Sequence, residues 1–125
     1  MNLERMTSYH FESLRVDHYW INRCGEANSF PDIFVHHHGD LQIDCKGSQK
    51  YYGSMFLGLE NHATMEERRA AYGQIWFVLN DLSIVEFREY DAGKERKDGG
   101  YRFAPEQPRS INQWLKEIEY YEVRS

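Results

Sequence analysis

Two aspartates and a lysine stand close together along the chain. Asp32 lies in Pro31-Asp32-Ile33-Phe34-Val35, and Asp44 and Lys46 lie in Leu41-Gln42-Ile43-Asp44-Cys45-Lys46, with a His/Gly/Asp turn between the two segments. Carboxylate oxygens suit a hard cation such as Mg²⁺, which keeps waters of its own and can bind phosphate in addition. Such an ion polarises a phosphoryl oxygen and lowers the pKa of a bound water, while a nearby ammonium orients that water or offsets charge in the transition state. These residue types therefore point to phosphodiester hydrolysis, with Asp32 and Asp44 on the metal and Lys46 beside the attacking water.

Two neighbouring strands are needed to position these groups. Side chains alternate along a strand, so Leu41, Ile43 and Cys45 are expected against the core and Gln42, Asp44 and Lys46 on a shared polar face. A hairpin through Gly39-Asp40 sets Asp32 across from the exit of the second strand. His36, His37 and His38 point to alternating sides and read as turn residues rather than a zinc site. Upstream, Leu3, Met6, His10 and Leu14 recur at helical spacing and predict a first helix. Glu4 falls beside Phe11 at the margin of that stripe, whereas Glu12 faces solvent, so Glu4 is the better helix acid for a metal site.

Residues 19–23 are rich in aromatic and β-branched types and predict a strand. Downstream, residues 51–59 read as strand or irregular structure. Thr64-x-x-Glu67 has the form of a capping box and leads into a short helix stopped by Gly73. Residues 75–79 predict a buried central strand, with residues 83–87 as its hairpin partner across Asn80-Asp81. Ser110-x-x-Gln113 caps a final helix through Trp114, Leu115, Ile118 and Tyr121. The elements together predict an α/β domain with a mixed central sheet flanked by helices.

Pro31-Asp32 followed by Asp44-x-Lys46 resembles the PD-(D/E)xK nuclease superfamily, with aspartate at position 44 where glutamate is more usual. The surrounding order is most similar to the Holliday-junction resolvase-like branch: Glu4-Arg5 opens a helix, a strand ends in Arg23, and a small-residue loop leads to Pro31. The resemblance covers roughly residues 3–90 and implies a restriction-endonuclease-like fold in one domain, residues 1–125, with a C-terminal loop and helix at 91–125. It implies a Mg²⁺-dependent deoxyribonuclease, with Mn²⁺ as a substitute. The backbone carbonyl of Cys45 then joins Asp32 and Asp44 on the metal, Glu4 supports a second ion, and Gln49, Lys50 and Arg23 meet the nucleic acid. Branched or duplex DNA is the implied substrate, and a two-fold homodimer that cuts two strands the implied assembly. The same residues also suit a nuclease-like module that binds nucleic acid or a protein partner without catalysis, or an enzyme acting on RNA.

Composition bounds these readings. A chain of 125 residues with 41% hydrophobic content is large enough for one real core. No run approaches the ~20 apolar residues a bilayer span needs, and a cytoplasmic location is expected. Cys24 and Cys45 then read as small core fillers rather than a disulfide. The net charge of −5 argues against a strong nonspecific grip on DNA, which rests on clustered Lys and Arg. Basic residues still gather locally at Lys46, Lys50, Arg68 and Arg69, whereas the mixed charges of residues 88–102 read as a solvated loop.

Overall fold

In the computed structural model, residues 2–21, 31–46, 49–51, 54–57, 62–89, 101–103 and 107–121 are described. Asn2 caps the first helix, α1 (Leu3–Ser13), by accepting the Arg5 N–H on its side-chain oxygen at 2.8 Å. The buried face of α1 is carried by Thr7, Ser8 and Phe11, with Leu3 and Leu14 partly buried beside them. The helix is thus turned slightly from the expected stripe, because Phe11, the largest apolar side chain on it, takes the centre of the contact. The strand predicted at residues 19–23 is β1 (His18–Trp20); its expected end, Arg23, lies outside the described residues.

β2 (Ile33–His36) and β3 (Asp40–Cys45) form the expected antiparallel hairpin, in the register Ile33↔Ile43 and Val35↔Leu41. Two strands of the second half complete the centre: β6 (Ile75–Val78), parallel to β3, and β7 (Ser83–Glu86), antiparallel to β6. The main sheet runs β1-β2-β3-β6-β7-β9, with β9 (Arg109–Ser110) on the far edge. Between β3 and β6 the chain forms β4 (Gln49–Tyr51), β5 (Ser54–Leu57) and the second helix, α2 (His62–Tyr72). β4 and β5 make a second, three-stranded sheet with β8 (Tyr101–Phe103).

Helices cover both faces of the main sheet. On one, Phe11 of α1 and Ile111, Trp114 and Leu115 of α3 (Ile111–Glu117) pack with Ile33, Val35, Ile43, Trp76, Val78 and Ile84. On the other, Met65 of α2 packs with Ile75, Phe77, Leu79, Val85 and Phe87. All four residues of β6 are buried, as expected of a strand covered on both sides. Ser110 caps α3 by accepting the Gln113 N–H at 3.0 Å, as its spacing predicts. Gly73, at φ +101°, ends α2 and donates its N–H to the Arg69 carbonyl. Helix α2 begins at His62, so Thr64 sits inside its first turn instead of capping it.

Candidate functional site

The candidate residues gather where β2 begins and β3 ends. Continuing the β2–β3 register by one residue sets Asp32 opposite Asp44, as the hairpin predicts. Asp32 is fixed from two sides: its carbonyl accepts the Ile21 N–H, and its Oδ2 accepts the Cys45 N–H at 2.7 Å. Burial pushes its carboxyl up to about 6; the Cys45 bond opposes this, the charges of Glu4 and Asp44 add to it, and Lys46 opposes it. Lys46 is half-buried and holds its place through a backbone bond from its N–H to the Val78 carbonyl.

At Gln42 and Asp44 the polar face of β3 does not meet solvent. Gln42 and Asp44 are 0% and 2% exposed beneath α2, and Arg68 reaches down to both. Arg68 Nη1 donates to Asp44 Oδ2 at 2.9 Å and Nη2 to Asp44 Oδ1 at 3.0 Å, a bidentate pair. Nη2 also donates to Gln42 Oε1 at 3.2 Å, and Gln42 Nε2 in turn donates to the Gly73 carbonyl at 2.9 Å. Sequence reasoning placed Arg68 only within a basic cluster. Its spacing of three from Met65, which faces the core, is the signal that turns it inward.

The opposite face of β3 meets α1. The Cys45 thiol donates to Thr7 Oγ1 at 3.6 Å, and burial pushes it far above the ordinary range for a thiol. It is therefore held protonated, and the expected part of Cys45 in an ion site is its backbone carbonyl alone. Glu4 is half-buried and accepts the Trp20 indole N–H on Oε1 at 3.0 Å. Glu12 is exposed, as the helical spacing predicts. Gln49 and Lys50 lie on β4, whose side chains fall outside the described residues, as does Arg23.

Among the described residues, no three His, Cys, Asp or Glu side chains form a group that could hold a metal ion. Asp32 nevertheless suits a cation: it is partly desolvated, and two neighbouring carboxylates oppose its ionisation. At Asp44 a cation would share a carboxylate whose oxygens each already accept one bond from the Arg68 guanidinium, which leaves one lone pair on each. The turn histidines have structural partners. His36 Nδ1 lies 2.6 Å from Asp40 Oδ1, and His37 Nε2 lies 2.7 Å from the Ile118 carbonyl oxygen.

No family model matches the chain, and no curated protein matches it. Among solved structures, it is similar to Hjc, a Holliday junction resolvase from the archaeal hyperthermophile Archaeoglobus fulgidus, with a TM-score of 0.58 and 11% identity over 92% of this chain and 97% of that one. The likeness is one of fold. Among the described residues, the mixed six-stranded sheet with three helices is the restriction-endonuclease-like fold expected from the sequence. None of the helices described is long and apolar enough to cross a membrane.

Proposed function

We propose that the chain is a metal-dependent phosphodiesterase that cleaves DNA at the open end of the hairpin, where β2 begins and β3 ends. The observation that carries this reading is the setting of Asp32: opposite Asp44, within charge influence of Glu4 and Lys46, and harder to ionise than an ordinary aspartate because it is partly buried. The resolvase-like fold supports it. A bound Mg²⁺ would be held by Asp32 and Asp44 with the Cys45 carbonyl, Glu4 serving a second ion, and would supply a polarised phosphoryl oxygen and an acidified water. Lys46 supplies positive charge beside Asp32 and orients the attacking water. Asp44 would join the donor set through the lone pairs that Arg68 leaves unused. On this reading the substrate is branched or duplex DNA in the cytoplasm, Gln49, Lys50 and Arg23 contact its backbone, Mn²⁺ substitutes for Mg²⁺, and the working unit is a homodimer.

Plasmid, linear and four-way-junction DNA incubated with Mg²⁺, Mn²⁺, Ca²⁺ or chelator tests the proposal. Cleavage is expected with Mg²⁺ and Mn²⁺ and should vanish in Asp32→Asn; equal cleavage in chelator refutes it. The bidentate Arg68–Asp44 pair favours a second reading, in which that acid is structural and the fold binds nucleic acid without cutting it. Junction binding with no heat of Mg²⁺ binding by calorimetry would decide for the second.

A further inference from the structure

A cleft of about 430 Å³ lies between α1 and the edge strand β1, away from Asp44 and Arg68. Its back wall is hydrogen-bonded: His18 Nδ1 donates to the Val16 carbonyl at 2.8 Å, and in the neutral ring Nε2 then accepts the Ser8 hydroxyl, also at 2.8 Å. Its rim is aromatic, with one cation, Arg5, and one acid, Glu12. Tyr9 and Tyr19 line it while 69% and 62% exposed, an unusual outlay of large apolar surface. Arg5 stands 6.0 Å over the centre of the Trp20 ring. The Trp20 indole N–H is in turn held by Glu4, which joins this cleft to the acid site.

We infer that this cleft receives an unstacked base of a nucleic-acid strand, with the exposed Tyr9 and Tyr19 as stacking surfaces, Trp20 beside them under Arg5, and Arg5 meeting the adjoining phosphate. Aromatic faces beside a cation are the sequence-tolerant way to hold single-stranded nucleic acid, because every base has a π-face. A protein of net charge −5 gains little from diffuse phosphate attraction, so a stacking site supplies the grip that charge does not. Glu12, on the same cleft, repels the phosphate backbone and confines it to the Arg5 side. The Glu4–Trp20 bond then sets the base one hydrogen bond from the acids. The inference rests on nucleic acid being the substrate and adds that the strand is opened where it is bound.

Trp20 reports the event directly, since Trp76 and Trp114 are buried at 7% and 0% exposure. A short single-stranded oligodeoxynucleotide, added in chelator, is expected to quench the intrinsic tryptophan emission, and Trp20→Phe should remove that response. Tyr9→Ala with Tyr19→Ala should weaken oligonucleotide binding roughly ten-fold or more, with the circular dichroism spectrum unchanged because both side chains are exposed. Emission unaltered at saturating oligonucleotide, or parental affinity in the double variant, overturns the inference. If those results accompany DNA cleavage by the parent protein, the cleft fails and the nuclease reading stands. Quenching and weakened binding without cleavage under any metal uphold the cleft and remove the nuclease.

Discussion

At the scale of single residues, the decisive contact is between Asp44 and Arg68. Both are almost wholly buried, so each depends on the other to leave water. Removing one partner strands a buried charge, and Asp44→Ala or Arg68→Ala should each cost about 3–5 kcal/mol in urea unfolding. The double variant should cost much less than the sum, because neither charge is then left alone. Additive losses would show that the pair is not coupled. Asp32 makes a different prediction. Its carboxyl is raised from the ordinary 3.8 to about 6 in the folded chain, so between those limits the folded state holds the proton more tightly. Stability from this group is greatest at low pH and falls as pH rises from about 4 through about 6. Asp32→Asn should flatten that part of a stability-against-pH curve, and an unchanged slope would assign it to another group. A cation on Asp32 favours the ionised form, so Mg²⁺ should raise the melting temperature more at pH 7 than at pH 5.

Among the elements, the hairpin and the central strand were legible from residue type. Residues 33–36 and 40–45 alternate and are joined by a glycine turn, and the run Ile75-Trp76-Phe77-Val78 has no polar break, which suits a strand covered on both faces. What β3 faces was not legible. Alternation separates two sides of a strand but does not say whether the polar side meets water or a helix, and here Arg68 of α2 makes burial of Gln42 and Asp44 tolerable. Strands of two or three residues, such as β8 and β9, are too short to show a period. The placing of α1 makes its two acids separable. Glu4 touches Trp20 and acts on the charge of Asp32, whereas Glu12 is exposed. Glu4→Gln should lower the cleavage rate and weaken its metal dependence, while Glu12→Gln leaves the rate at saturating DNA unchanged. The reverse ranking would transfer the helix acid's role to Glu12.

For the whole molecule, the end of the chain closes what the beginning starts. Trp114 packs against Phe11 and Trp76, the Tyr120 hydroxyl accepts the Asp17 N–H at 2.6 Å, and the Tyr121 hydroxyl donates to the Leu14 carbonyl. The core therefore reaches beyond the segment of roughly 3–90 that the resemblance covered. The Trp114–Phe11 contact and the two tyrosine bonds join residues more than a hundred positions apart in sequence, and such distant pairings form late because the chain between them must first be ordered. During synthesis, Phe11 and Ile43 have their covering tryptophan only once α3 has been made. A chain stopped at residue 108 is expected to be protease-sensitive and to bind a hydrophobic dye, whereas the full chain resists digestion. Equal resistance would show that the first 108 residues fold alone. The Tyr120 and Tyr121 bonds thus act as a latch: a nascent chain shields its apolar interior only once α3 and the turn after it have been made.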